Sequence, residues 1–230
     1  MGAGPGRNDD LSMSTPPATA SWNALTGMAF SAAPLFVLVY GVVRLLDGLD
    51  GARGPGTHWT AGHAAFLVGL LLFVPVVLGL RRPVAARAAG LRVTATVSAV
   101  VAVLGIAAAA GQVVIDLVVG LRAGGREEMN RLFEQVQAYP AVRPVFYTVG
   151  PVLFYVGLLA LIVLVAGSRP RPVSGWSPVL VVAGTVMMAV DLDLIPLGAA
   201  CYWLALAPLG WRLAWGDRAL EGAPGAAVPA

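Results

Sequence analysis

The chain has 230 residues, of which 58% are hydrophobic and only 12% charged, and its mean hydropathy is +0.79. A soluble domain carries about a quarter charged residues, so this composition excludes a soluble globular enzyme and points to a bilayer as solvent. Net charge is +3 and all 15 basic residues are Arg, scattered through loops with no continuous basic face, so no nucleic-acid partner is expected.

About 20 apolar residues cross a hydrocarbon core, so six crossings use roughly 130 residues and leave about 100 for loops and tails. The expected fold class is all-α: a polytopic membrane bundle of about six transmembrane helices plus one amphipathic interfacial helix. Residues 1–21 carry Arg7, Asp9 and Asp10, then Ser, Thr and Pro, without a cleavable signal pattern. They are expected to form a disordered tail before an uncleaved first span. Apolar runs follow near 23–46, 59–80, 93–121, 145–167, 178–193 and 197–215. The breaks have turn or charge signals: Asp47 to Thr57 with four Gly and a Pro, Arg81 to Arg92, Arg122 to Arg143, and Ser168 to Ser177 with two Pro. Asp191, Asp193 and Pro196 interrupt the last long run and predict a tight hairpin. The transmembrane domain is placed at 22–216, with a disordered tail over 217–230.

Six crossings put nine Arg on the side of the termini and six on the other. The short loop from Arg81 to Arg92 holds four Arg and no acid, so both termini are expected in the cytoplasm, in a multi-pass protein of the cell membrane. Within the 122–144 loop, Met129, Leu132, Phe133, Val136 and Tyr139 fall near helical spacing with charges between them. They predict an interfacial helix that covers the bundle or acts as a lid.

Ionisable groups in membrane helices are costly unless they face an interior, water or a partner, so the few that interrupt the runs locate the chemistry. Drawn on this topology, nearly all lie toward the outer leaflet: Tyr40, Arg44, His58, His63, Gln112, Asp116, Tyr147, Asp191, Asp193 and Tyr202. Asp116 is surrounded by Val, Ile and Leu, with Gln112 one turn earlier on the same face. It can be a neutral proton donor, or an ionised structural partner of Arg44 or a His. Asp191 and Asp193 point about 200° apart on a helix and converge only in a turn. Either Asp193 caps the last helix, or one of the pair meets Asp116 to make an acid and a base. His58 and His63, five apart, do not share a helical face; bis-His haem is not expected, and a zinc site with Asp47 or Asp116 lacks a further ligand. His58 beside Trp59 reads as interfacial, and Trp22, Trp176 and Trp211 as anchors on the other side. Cys201 is alone, so no disulfide is expected, and neither is a metal or a cofactor. Gly105, Ala109 and Gly111 permit close helix approach, and Pro34, Pro75, Pro151 and Pro208 can open a cavity through local kinks.

The stretches HWTAGHAAFLVGLLLFVPVVLGLRR (58–82) and DLDLIPLGAACYWLALAPLGWRLAW (191–215) resemble six-helix integral membrane proteins of actinobacteria of uncharacterised function. In size, helix number and sparse membrane carboxylates the chain is also similar to small membrane-bound terpene cyclases. That resemblance implies an acidic residue that protonates an isoprenoid and aromatic walls that stabilise the cation. The expected catalytic acids are Asp116, Asp191 and Asp193. The expected substrate contacts are Tyr40, Arg44, His63, Gln112, Tyr147, Tyr155, Tyr202 and Trp203, with Phe154 as a further aromatic wall. The expected partners are membrane lipids and a prenyl or lipid-like small molecule; oligomeric state is open. A proton-coupled transporter and a noncatalytic membrane scaffold are the competing classes. An enclosed cavity with converging acids favours the enzyme, a water path to both faces the transporter, and a solid bundle the scaffold.

Overall fold

A computed structural model describes residues 18–49, 53–168 and 175–221, with side chains described over 24–49, 53–168 and 175–212. Its helices are α1 (Ala18–Asp47), α2 (Thr57–Ala85), α3 (Ala89–Arg122), α4 (Arg126–Gln137), α5 (Gly150–Ala166), α6 (Ser177–Val190) and α7 (Ile195–Glu221). A π-helical stretch, Arg143–Val149, leads into α5, and a 3-10 turn, Leu192–Leu194, leads into α7. No strand occurs among the described residues. α1 begins at Ala18 and α7 ends at Glu221. The remainder of both tails, Arg169, Arg171 and the side chains of Trp22 and Arg218 lie outside the described residues.

Five helical stretches are long and apolar enough to cross a membrane: Ala24–Asp47, Thr57–Ala85, Ala89–Arg122, Arg143–Ala166 and Leu192–Arg212. α6 is apolar but has only 14 residues; at 1.5 Å per residue it spans about 21 Å, short of a core about 30 Å thick. Its shortness has a local cause. Asp191 takes extended backbone and its side chain accepts a hydrogen bond from the Asp193 amide, which starts the 3-10 turn and stops the helix. The outward faces expose large apolar side chains, among them Leu71, Val97, Leu104 and Val163, each more than half exposed. Water penalises such a surface and hydrocarbon does not, so the fold is that of a multi-pass membrane protein.

The helices form an arc in the order α6, α7, α1, α2, α3, α5, with the most extensive packing between α1 and its neighbours α2 and α7 and between α3 and α5. The ends of the arc, α5 and α6, touch only lightly. Phe30, Phe73, Leu80, Ile106, Leu158, Leu161 and Leu206 are fully buried between these layers. Small residues set the closest approaches, since helix association in a bilayer relies on packing and not on expulsion of water. On the α3–α5 seam a Cβ at Gly105 would collide with the Phe154 backbone, and one at Gly157 would lie 2.5 Å from the Ala102 nitrogen and 2.6 Å from the Ser98 carbonyl oxygen. Gly105 was legible as a packing residue; its partners on α5 were not.

α4 buries Met129 and half-buries Leu132, Phe133 and Val136, while Arg126, Glu127, Glu128, Arg131 and Glu134 are exposed. Glu128 accepts a 2.8 Å hydrogen bond from the Gly124 amide, occupying a donor ahead of the first turn. Tyr139, expected on its apolar face, falls beyond the helix end and is exposed.

Candidate functional site

Asp116 sits on the buried side of α3 and is 7% exposed. A carboxyl so enclosed must find hydrogen bonds or a counter-charge. Tyr147 Oη donates to its Oδ1 at 2.7 Å, and His63 Nε2 stands 3.8 Å from its Oδ2; Gln112 lies one turn back on the same helix. Tyr147 is carried by the π-helical stretch, where the Gly150 amide bonds back to the Val145 carbonyl. Pro151 follows directly and has no amide to offer Tyr147 in an α-helical pattern. Wide turns of this kind are frequent at functional sites.

Trp59 braces the group. Its indole Nε1 donates to the Asp116 carbonyl at 3.0 Å, its own carbonyl lies 2.8 Å from His63 Nδ1, and its ring stacks on the imidazole with centroids 4.1 Å apart. Gly120 makes this possible, because a Cβ there would occupy the indole position. Tyr40 meets His63 edge-on at 5.2 Å and stacks on Phe66 at 4.6 Å.

A cavity of about 700 Å³ lies beside this cluster, inside the arc of helices and open where α5 and α6 separate. That volume lies in the range of small-molecule sites. Its wall is mostly aliphatic and aromatic, including Phe66, Phe73, Phe154, Leu159 and Ile195. Of the expected substrate contacts, Tyr40, Gln112, Tyr147, Tyr155 and Tyr202 line it. At another part of the wall Tyr202 Oη and Thr185 Oγ1 are 2.7 Å apart. Thr185 also bonds the Val181 carbonyl at 2.8 Å, so Tyr202 donates to Thr185. Tyr202→Phe therefore leaves Thr185 satisfied, and the expected loss is about 1 kcal/mol, measured as the thermal midpoint in detergent.

Three expectations are corrected by the geometry. First, Asp191 and Asp193 do not join Asp116. Arg53, in the loop between α1 and α2, places Nη2 2.7 and 2.9 Å from the two Asp193 oxygens, and Arg44 Nε lies 3.5 Å from the same carboxylate. This bond holds the Arg53 guanidinium above its ordinary basicity. Arg44 thus belongs to Asp193 and not to Asp116. Asp191, not Asp193, is the capping residue, and it is exposed. Second, Trp203 lies off the cavity wall and is 38% exposed: its neighbour Tyr202 faces inward, and successive helical residues are about 100° apart. Third, Arg44 and His63 line a separate small cavity of about 20 Å³ shared with Tyr40, Asp47, Arg53 and His58. There His58 Nδ1 is 3.8 Å from Asp47 and its side chain is 64% exposed.

Sequence reasoning missed Trp59 as a brace and Arg53 as the partner of Asp193; only the occurrence of an indole and an arginine beside the polar positions hinted at either. Among the described residues no three His, Cys, Asp or Glu side chains gather to hold a metal. Because Asp193 is tied to two arginines at the helix ends, Asp193→Asn is expected to weaken the hairpin slightly, by an amount that shrinks further in high salt, and to leave Asp116 chemistry intact. Comparison with protein-family profiles, with curated proteins and with solved structures finds no match to this chain.

Proposed function

We propose that this protein is an intramembrane acid-catalysing enzyme that protonates an isoprenoid or other lipid-like substrate held in the large cavity. The observation that carries this reading is the 2.7 Å contact between Asp116 and Tyr147, whose ring forms part of the wall of a largely apolar cavity. In the proposed topology the bundle crosses six times, with α6 as a short sixth crossing, both termini in the cytoplasm and α4 at the opposite interface.

The chemistry needs only groups of this chain. Asp116 is not itself on the cavity wall, so its proton reaches an alkene carbon through Tyr147: the hydroxyl turns to give its own proton to the alkene as it accepts that of the carboxyl, and the π pair of the alkene becomes the new C–H bond. The cation left on the neighbouring carbon is attacked by a second alkene or shifts along the chain. Loss of a proton back to the carboxylate then restores the acid, so the product has unchanged mass. Tyr40, Phe66, Phe73, Phe154 and Tyr155 present π faces that stabilise positive charge, and the apolar wall keeps water from quenching it. The acids do not converge, so the reading rests on Asp116 alone and on a cavity whose size speaks for a small-molecule role over a scaffold.

The test incubates membranes containing the protein with a panel of prenylated and polyprenyl compounds and separates isomers of unchanged mass by chromatography. Conversion by the parent and not by Asp116→Asn is the expected result. No conversion of any compound by well-folded protein, or equal conversion by Asp116→Asn, overturns the proposal.

A further inference from the structure

The two oxygens of the Asp116 carboxyl serve different surroundings. Oδ1 takes Tyr147, which lines the large apolar cavity. Oδ2 faces His63, which is absent from that wall and borders the small cavity instead. We propose that His63 connects the buried acid to the aqueous side at the Arg53 and His58 end of the bundle, so that protons reach Asp116 past this imidazole and not through the hydrocarbon cavity. This rests on the reading of Asp116 as the acid and names how its proton exchanges with water between turnovers.

The orientation of the ring is fixed by its neighbours. A backbone carbonyl only accepts, so the 2.8 Å contact with the Trp59 oxygen puts hydrogen on Nδ1. Nε2 is then the atom that gains or loses a proton, and it is the atom aimed at Oδ2, 3.8 Å away. A small rotation brings the two within hydrogen-bond reach. Trp59 couples both helices to this geometry, through its stack on the imidazole and its bond to the Asp116 carbonyl. The groups facing His63 are Tyr40, Arg44 and Asp47 from α1 and Asp116 from α3, with Gln112 and Tyr147 reached through Asp116.

Outward from His63, the small cavity of about 20 Å³ exceeds the roughly 10–15 Å³ that one water molecule requires. Arg44 borders it, and Arg44 Nε is buried with an ion pair to Asp193 at 3.5 Å but no hydrogen bond in the protein; a water there has polar neighbours of the kind such sites need. Beyond it, Arg53 and His58 are in part open to solvent. The step balances simply. A proton from water at this end binds Nε2, the Nε2–H bond breaks as the Oδ2–H bond forms, and Nδ1–H stays on the Trp59 carbonyl throughout.

The test needs no substrate. Dicyclohexylcarbodiimide, a small apolar reagent, adds to protonated carboxyls within membranes, and peptide mass spectrometry locates the adduct. The full chain is reconstituted in sealed vesicles with pH set independently on each side and orientation fixed by protease sensitivity. Labelling of Asp116 in the unaltered protein should follow the pH on the Arg53 side, falling about tenfold per unit above its midpoint, and ignore the other side. His63→Gln, which fills the site but carries no ionisable nitrogen, should remove this response, while His58→Gln keeps it. Labelling that tracks the opposite face, or that keeps its rate and sidedness in a folded His63→Gln protein, overturns the proposal. The sidedness of the unaltered protein decides the matter even if His63→Gln does not fold. Sided labelling without isomer formation would leave this route standing and remove the enzyme; isomer formation with unsided labelling would do the reverse.

Discussion

Asp116→Asn lowers conversion of a prenyl substrate by a factor of about 10²–10⁴, the range set by loss of a positioned general acid, while the bundle stays folded. The amide has nearly the shape of the carboxyl and accepts the Tyr147 hydrogen bond through its oxygen. It carries no exchangeable acid proton, so a loss of rate without a loss of stability separates chemistry from packing. The thermal midpoint in detergent should move by no more than about 1 kcal/mol of stability. Tyr147→Phe removes the hydroxyl between Asp116 and the cavity and should cost about as much as Asp116→Asn. Asp191→Asn and Asp193→Asn should retain conversion, since one caps a turn and the other holds arginines at the helix ends. Initial rates in isolated membranes, normalised to protein content, give all four numbers.

Gly157→Leu should be the most damaging single substitution to the fold. Its first added carbon would stand 2.5 Å from the Ala102 nitrogen and 2.6 Å from the Ser98 carbonyl oxygen, and backbone cannot swing away as a side chain can. α5 must back off from α3 along the seam that Gly105 and Gly150 also keep narrow. The expected loss is about 3 kcal/mol or more, at the upper end of overpacking costs. Function should fall with it, because Asp116 stands on α3 and Tyr147 on the turn that enters α5, so separating the helices lengthens the 2.7 Å contact. Gly125→Ala is the matched control: no atom lies within 4 Å of the added carbon, and the midpoint should hardly change. Thermal unfolding followed by circular dichroism in detergent, with size exclusion to exclude aggregates, measures both.

The apolar runs were legible in the sequence because the solvent dictates them: a helix in hydrocarbon must satisfy its backbone internally and show apolar side chains outward. That Gln112 and Asp116 share one face of α3 was legible for the same kind of reason, being set by helical spacing alone. Contacts between helices were not. Arg53 lies 140 residues from Asp193, in a Gly-rich loop that a hydropathy reading treats only as a break. Without that arginine, two nearby acids invite convergence on Asp116. Tyr202 and Trp203 are equally aromatic in sequence, yet only one of two adjacent residues can face the cavity, and helix rotation decides which. The shortness of α6 turns on a side-chain cap at Asp191, a local hydrogen bond that no average over a window of residues registers.

Deuterium tests the central claim most directly. When protein first exchanged in D2O turns over a prenyl substrate in D2O under single-turnover conditions, Asp116 carries a deuteron, and each product molecule formed by alkene protonation carries one new C–D bond. The expected result is a product one mass unit heavier than that formed in ordinary water, with the label on the carbon that was protonated, and neither product nor label with Asp116→Asn. Product that carries no deuterium, or label that appears equally with Asp116→Asn, would contradict an acid at Asp116 acting on a lipid in this cavity.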